Sequence, residues 1–161
     1  KKTNANIIIR VTADNPLTDF RFIPLLTKYL LENNLNYATI DNNLCIEGSN
    51  IEVFTKNILS ESYIKDQTLV NKENVTTFMK RKSPKNYQMK TFLQTERIMR
   101  NYIKKYSVTV DTIDDFIKVK KLILSIDDDF NSTKEIDIVD KCLNIINSNK
   151  NQFPIGRNHK L

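Results

Sequence analysis

Glycine is almost missing from this sequence, with two residues among 161. Phosphate cradles assembled from several glycines, such as the GxGxxG turn or the P-loop, are thereby excluded. Histidine occurs once, as His159 close to the last residue, which removes Ser-His-Asp hydrolysis, zincin chemistry and zinc fingers built on histidine. The two cysteines, Cys45 and Cys142, stand far apart without partner cysteines or clustered histidines. Neither a disulfide framework nor a zinc site is indicated. Apolar runs are short as well: none approaches the ~20 residues that span a bilayer. Ile7-Ile8-Ile9 is too brief for the core of a signal peptide, so the expected compartment is the cytoplasm, with no membrane partner.

What is present is ordinary for a folded chain. Hydrophobic residues make up 40% and charged residues 27%, which excludes a disordered polar tract. A length of 161 residues suits a single domain with its own core.

Ile7-Ile8-Ile9-Arg10-Val11 predicts a strand over 6–11, and its unbroken apolar character predicts burial on both faces of a parallel sheet. Asp14-Asn15-Pro16 closes it with a turn. Thr18-Asp19 suits the N-cap of a helix in which Phe22, Leu25, Leu26, Tyr29 and Leu30 recur at helical spacing, ended by Asn33-Asn34. Strands are predicted over 37–40 and 50–54, helices over 56–63 and 71–82, the second stopped by Ser83-Pro84. A strand follows over 87–93, while 95–106 reads equally as polar helix or loop. Ser107 to Val110 is β-rich and feeds a helix with apolar Phe116, Val119, Leu122 and Ile123, and Thr112 and Asp115 at its mouth resemble a capping box. A last helix is predicted over 132–147. This alternation predicts an α/β fold, a partly parallel sheet flanked by helices.

In open α/β sheets, ligands bind outside the carboxyl ends of the strands. Asp14 and Asp111 follow predicted strands by three residues and one residue respectively, so both reach that crevice if their strands are neighbours. Two carboxylates without histidine are hard oxygen ligands of the kind that hold Mg²⁺ together with substrate phosphates. The same placement also suits a turn former or a helix cap, and from spacing alone that plainer reading is the preferred expectation.

Arg10-Val11-Thr12-Ala13-Asp14-Asn15-Pro16-Leu17-Thr18-Asp19 resembles the strand and loop of the sugar-acid cytidylyltransferases. Within that family, which includes the acylneuraminate and 3-deoxy-manno-octulosonate enzymes, it is most similar to the spore-coat polysaccharide branch and its pattern R-[IV]-T-[GA]-D-x-P-L-x-D. Gly48 to Phe54 is similar to that branch's G-x-D-V-E-V-F, Glu73 to Phe78 to its E-H-V-T-P-[YF], and Val108 to Phe116 to its L-T-V-D-T-P-E-D-[FL]. The sequence departs from these patterns at Asn50, Asn74, Thr77 and Ile113, where the family carries Asp, His, Pro and Pro. The loop A-R-x-x-S-x-R-L-P-x-K, which holds the nucleotide in that family, has no match in these 161 residues. The motif order therefore implies the C-terminal portion of such a core, inactive as an isolated chain.

The resemblance implies a Rossmann-like mixed sheet of the nucleotide-diphospho-sugar transferase type and a nucleotidyl transfer in surface polysaccharide biosynthesis. CTP and a sugar or sugar acid would give a CMP-sugar and pyrophosphate, with Mg²⁺ as cofactor and a homodimer as the assembly. Asp14 and Asp111 would be the catalytic metal ligands, Glu52 would hold sugar hydroxyls, and Asn15 and Glu73 would be lesser substrate contacts. Read without the resemblance, Glu52 is equally a solvated strand residue, and Glu73 is a carboxylate meeting a helix dipole. Arg10 suits either an anionic sugar acid or a pair with Asp19, and the pair is the preferred expectation.

The net charge of +6 is concentrated between Lys80 and Lys105, where nine basic residues accompany only Glu96 as an acid. Such a segment could bind nucleic acid or serve a non-catalytic α/β domain as a partner surface, and salt dependence would reveal it. A solvated lysine-rich face is the plainer expectation, so nucleic acid is not the expected partner. Asp127-Asp128-Asp129 lacks the alternating spacing and the glycine of a calcium loop and reads as a solvated turn.

Overall fold

The computed structural model describes residues 4–66, 68, 74–90, 106–126, 141–142 and 144–146. These gather into two compact units. The first takes the segments up to Arg10, Phe22–Ile40 and Ile51–Lys90; the second takes Val11–Arg21, Asp41–Asn50 and the segments after Lys90.

The first unit holds a four-stranded mixed sheet of β1 (Ile7–Arg10), β2 (Tyr37–Ile40), β3 (Glu52–Thr55) and β4 (Gln88–Met89), in the order β1-β3-β2-β4. β3 runs antiparallel to both β1 and β2, whereas β2 and β4 are parallel. The strand buried on both faces is β2, every residue of which is buried, rather than the apolar run at Ile7. β1 pairs antiparallel at the sheet margin, and its Ile9 stays 42% exposed. An unbroken apolar run was thus a sound signal for a strand and a poor one for its place in the sheet.

Among the described residues, three helices accompany the sheet. α1 (Phe22–Glu32) packs on β2 and β3 through a stripe that buries Phe22, Leu26 and Leu30. Its exit turns at Asn34, whose φ of 50° is a left-handed conformation that asparagine tolerates. α2 (Lys56–Lys65) is capped by the Thr55 hydroxyl, which accepts from the Ile58 amide at 3.3 Å. α3 is confined to Thr77–Lys82, shorter than its predicted 71–82, of which 71–73 lie outside the described residues. Tyr37, Phe54, Ile58, Phe78 and Met79 form one apolar cluster, with Tyr37 and Phe54 stacked at 6.5 Å and Tyr87 tilted against Tyr37 at 5.5 Å.

The second unit is built around α4 (Ile113–Leu124). Val119 and Leu122 face a cluster of Leu17, Ile46, Tyr106, Val108, Ile126, Cys142 and Ile146. The capping box is present: Asp115 N donates to the Thr112 hydroxyl at 3.3 Å, and the Thr112 amide donates to Asp115 Oδ2 at 3.0 Å. Thr112→Ala is expected to cost about 1 kcal/mol, the usual loss of an N-cap hydroxyl, measured as a fall of ~2–4 °C in the melting temperature. Among the described residues the predicted strand over 107–110 forms one parallel bridge, Glu47 to Ser107, and its Val108 and Val110 amides bond to the loops at Glu47 and Asp14. Of the predicted last helix, 141–142 and 144–146 are helical and the remainder lies outside the described residues, as do 91–105 and Asp127 to Asp129.

Candidate functional site

In the second unit, the segment from Tyr106 to Asp111 lies between two loops. Val108 N donates to Glu47 O at 2.9 Å, and two residues on, Val110 N donates to Asp14 O at 2.8 Å. The backbone that carries Asp111 is therefore side by side with the backbone that carries Asp14. Both aspartates are exposed. The Asp111 amide donates to Asp115 Oδ2 at 3.3 Å, so the capping carboxylate of α4 also fixes the residue that precedes the helix.

The loop after Asp14 is held by its own polar groups. Asn15 N donates to Thr12 O at 3.1 Å, Asn15 Nδ2 to Thr12 Oγ1 at 2.7 Å, and Thr18 Oγ1 to Asn15 O at 2.8 Å. Asn15 Oδ1 is buried and receives no hydrogen bond. A buried acceptor without a donor costs about 1–3 kcal/mol, so this atom has an unfilled capacity at the residue that follows Asp14. The second aspartate of the motif is engaged elsewhere. Asp19, 2% exposed, chelates the Arg21 guanidinium through three contacts of 2.6–3.1 Å. Its amide donates to Ser49 O at 2.8 Å, which ties this loop to the one at Gly48.

Among the described residues no group of three or more His, Cys, Asp or Glu is placed to hold a metal ion. A closed protein cage is thus not what these residues form. Mg²⁺ does not require one, since it takes one or two carboxylates and completes its shell with water and phosphate oxygens. Two exposed carboxylates on adjoining segments, with an unengaged amide oxygen next to one of them, fit that donor set. The thiols add nothing to it: burial, reinforced at Cys45 by Asp41 and Asp19, pushes both Cys45 and Cys142 up to about 12, so each stays protonated and inert.

In the first unit Glu52 is the centre of a polar cluster, not a solvated strand residue. Its Oε1 accepts from Tyr37 OH at 2.6 Å, Thr76 Oγ1 at 2.9 Å and Lys80 Nζ at 2.9 Å, and its Oε2 from Arg10 Nη1 at 2.6 Å. The expected pair of Arg10 with Asp19 is replaced by this one, because the antiparallel register sets Arg10 directly opposite Glu52 across β1 and β3. Burial alone would raise the Glu52 carboxyl, but the hydrogen bonds from Tyr37, Lys80 and Arg10 and the Lys80 charge hold it below the usual carboxylate range. Tyr37 moves the other way: burial, then the adjacent Glu52 charge, raise its hydroxyl far above the usual value. It remains a donor at any physiological pH.

Sequence reasoning missed Tyr37, Thr76 and Lys80. Thr76 and Lys80 are four apart and so share a helical face, and that spacing was the available signal. Tyr37 reaches Glu52 only through sheet register. Glu73 lies outside the described residues. In the basic segment, Lys80 is paired with Glu52, Arg81 with Asp66 at 2.6 Å, and Lys82 rests over the Phe78 ring at 6.0 Å, while Arg97, Arg100, Lys104 and Lys105 lie outside the described residues.

No family model matches the chain. An uncharacterized protein of Methanocaldococcus jannaschii is 31% identical over 153 residues, covering 92% of this chain and 59% of that protein. Among solved structures, a cytidylyltransferase from Leptospira borgpetersenii superposes with a TM-score of 0.70 at 20% identity, covering 98% of this chain and 61% of that one. The chain thus spans about three fifths of the length of the proteins it matches. It has the fold of that cytidylyltransferase, a mixed α/β sheet flanked by helices. No helix among the described residues is long and apolar enough to cross a membrane.

Proposed function

We propose, from a cytidylyltransferase fold that extends over 98% of the chain, that these residues form part of a nucleotidyltransferase of the CMP-sugar synthetase type. Its reaction joins CTP to a sugar or sugar acid: a sugar hydroxyl attacks the α-phosphorus, the bond to the leaving phosphate breaks, and pyrophosphate departs. The observation that carries this reading is the bond from Val110 N to Asp14 O, which supports a shared role for two aspartates 97 positions apart in sequence (111 − 14).

In this scheme Asp14 and Asp111 would hold Mg²⁺, and Asn15 would position the Asp14 loop through its bonds to Thr12 and Thr18 rather than reach the sugar itself. The cation would supply charge neutralisation on the phosphates, a term that dominates catalysis in phosphoryl transfer. The chain's own part is positioning. Asp115 and Thr112 fix Asp111 at the helix mouth, and Thr12 and Thr18 fix the loop of Asp14. In the first unit Glu52 holds the Arg10 and Lys80 cations at a partly exposed site, a role in sugar binding that these cations support better than the carboxylate, whose Oε1 is already engaged three times.

Mn²⁺, a paramagnetic substitute for Mg²⁺, tests the metal assignment without requiring turnover. Titrated into the ¹⁵N-labelled chain, it is expected to broaden the amide signals of Asp14, Asn15, Val110 and Asp111 first, and both Asp14→Ala and Asp111→Ala to abolish that selectivity. Uniform broadening would sink the assignment. The transfer itself is tested in a protein that joins this chain to the nucleotide loop: either alanine variant reduces Mg²⁺-dependent pyrophosphate release from CTP to background, and full activity in either overturns the reading. The isolated 161 residues are expected to release none.

A further inference from the structure

We propose that Lys118 is a positioning residue for the cation site: its ammonium, set against the Asp115 carboxylate, holds Asp111 in the orientation that lets it share a divalent cation with Asp14. This inference rests on the assignment of such a cation to Asp14 and Asp111, and it adds a residue that neither motif nor spacing singles out.

Lys118 stands apart from the other lysines of α4. Lys120 and Lys121 are exposed, whereas the Lys118 side chain is 23% exposed and its Nζ lies 3.7 Å from Asp115 Oδ1, one turn back along the helix. Burial pulls the Lys118 ammonium below its ordinary value, while the Glu47 charge acts in the opposite direction, so its head meets carboxylates from both α4 and the loop at Glu47. Those two elements flank the segment that ends at Asp111. Val108 N donates to Glu47 O at 2.9 Å, and the Asp111 amide donates to Asp115 Oδ2 at 3.3 Å. The lysine belongs to the frame around Asp111 rather than to the solvent-facing side of the helix.

Asp115 needs a cation where it sits. At 8% exposure its carboxylate is cut off from most of the water that would solvate it, and a buried charge is retained only when it is paired and hydrogen-bonded. Its Oδ2 accepts from Thr112 Oγ1 at 2.7 Å, from the Thr112 amide at 3.0 Å and from the Asp111 amide at 3.3 Å, all neutral donors. Lys118 brings the opposite charge to the other oxygen. Without that charge the carboxylate gains by turning toward water, and the longest of the three bonds, the one from Asp111, goes first. Asp111 would then keep the link from Val110 to the Asp14 loop but lose the bond from its own amide.

A bystander lysine has the opposite signature. If Lys118 acted on the cation only through space, its removal would lessen repulsion and tighten the binding of a divalent ion. Removal of a positioning contact weakens that binding. The sign of one measurement separates the two.

Mn²⁺ titrated into the ¹⁵N-labelled whole chain, with the selective broadening of Asp14 and Asp111 as the readout, supplies that measurement. Lys118→Met keeps the apolar stem without the charge and is expected to weaken Mn²⁺ binding roughly 10-fold, the lower end of what outer partners of a metal ligand contribute. Lys118→Arg, which restores a cation, should bind like the parent. In the Asp115→Asn background the Met substitution should have no further effect, because the residue through which it acts is already disabled. Thermal melting confirms that each variant is folded at the temperature of the titration, and Lys118→Gln repeats the test should the Met variant fail to fold. A parent without selective broadening overturns the metal assignment and this inference with it. A parent that shows it, beside a Met variant that binds Mn²⁺ as tightly or more tightly, overturns only the role of Lys118, as does an undiminished effect of Met in the Asp115→Asn background.

Discussion

Glu52→Ala is expected to lower the stability of the first unit by about 3–5 kcal/mol, the range for removing one partner of a buried ion pair. The loss comes chiefly from what the carboxylate leaves behind. Tyr37, fully buried, and Thr76, 5% exposed, would keep hydroxyls with no acceptor, and each orphaned donor costs about 1–3 kcal/mol. Arg10 and Lys80 would lose their counter-ion but are a third to nearly half exposed, so water compensates them in part. Glu52→Gln separates the two contributions, since its amide oxygen still accepts from Tyr37 and Thr76 while the charge is gone; about 1–2 kcal/mol is expected. Acid should mimic the glutamine. The Glu52 carboxyl is held below its ordinary value, so its contribution is complete above the unfolded-state pKa of about 4.3 and is lost as pH falls through the lower folded value. Urea unfolding followed at pH 7 and pH 3 checks this: the Gln variant should lose less on acidification than the parent. An alanine variant within 1 kcal/mol of the parent would show that the cluster contributes no net stability.

That cluster marks where the sequence stopped being informative. The helical stripe of α1, the strand at Tyr37 to Ile40 and the capping box of Thr112 and Asp115 were legible because each is a local pattern with a local cause. The partner of Arg10 was not, because it depends on which strand pairs with which and in what register. Asp19 is only nine residues away and acidic, yet the structure gives it to Arg21, two residues on, whose guanidinium reaches both carboxylate oxygens. The segment over 107–110 misled for the same reason. Its β-rich residues did predict an extended backbone, but an extended segment becomes a strand only where a neighbour supplies a matching ladder, and here the neighbours are the loops at Glu47 and Asp14. The two aspartates were legible as a pair through their motifs; the hydrogen bond that sets their backbones side by side was not.

Gly48→Ala should be the most damaging single-methyl change in the second unit. Gly48 has φ of +90°, a conformation that costs a residue with a Cβ about 1–3 kcal/mol. An added Cβ would also sit 2.7 Å from Thr109 N and 2.9 Å from Val108 C, both backbone atoms that cannot rotate away. Relief requires the segment from Val108 to Asp111 to move, and that movement is opposed by the bonds from Val108 N to Glu47 O and from Val110 N to Asp14 O. Strain and displacement together are expected to cost about 3 kcal/mol or more, a fall of roughly 6–12 °C in the melting temperature. The same push bears on the metal assignment. If Gly48 matters because it lets the Asp111 segment close against the Asp14 loop, the variant should lose the selective Mn²⁺ broadening of Asp14, Asn15, Val110 and Asp111 well below its melting temperature. Amide exchange should also quicken at Val108 and Val110 before it does so in α1. A variant that keeps both the broadening and the protection would show that the loop yields instead, and that glycine is dispensable at this crossing.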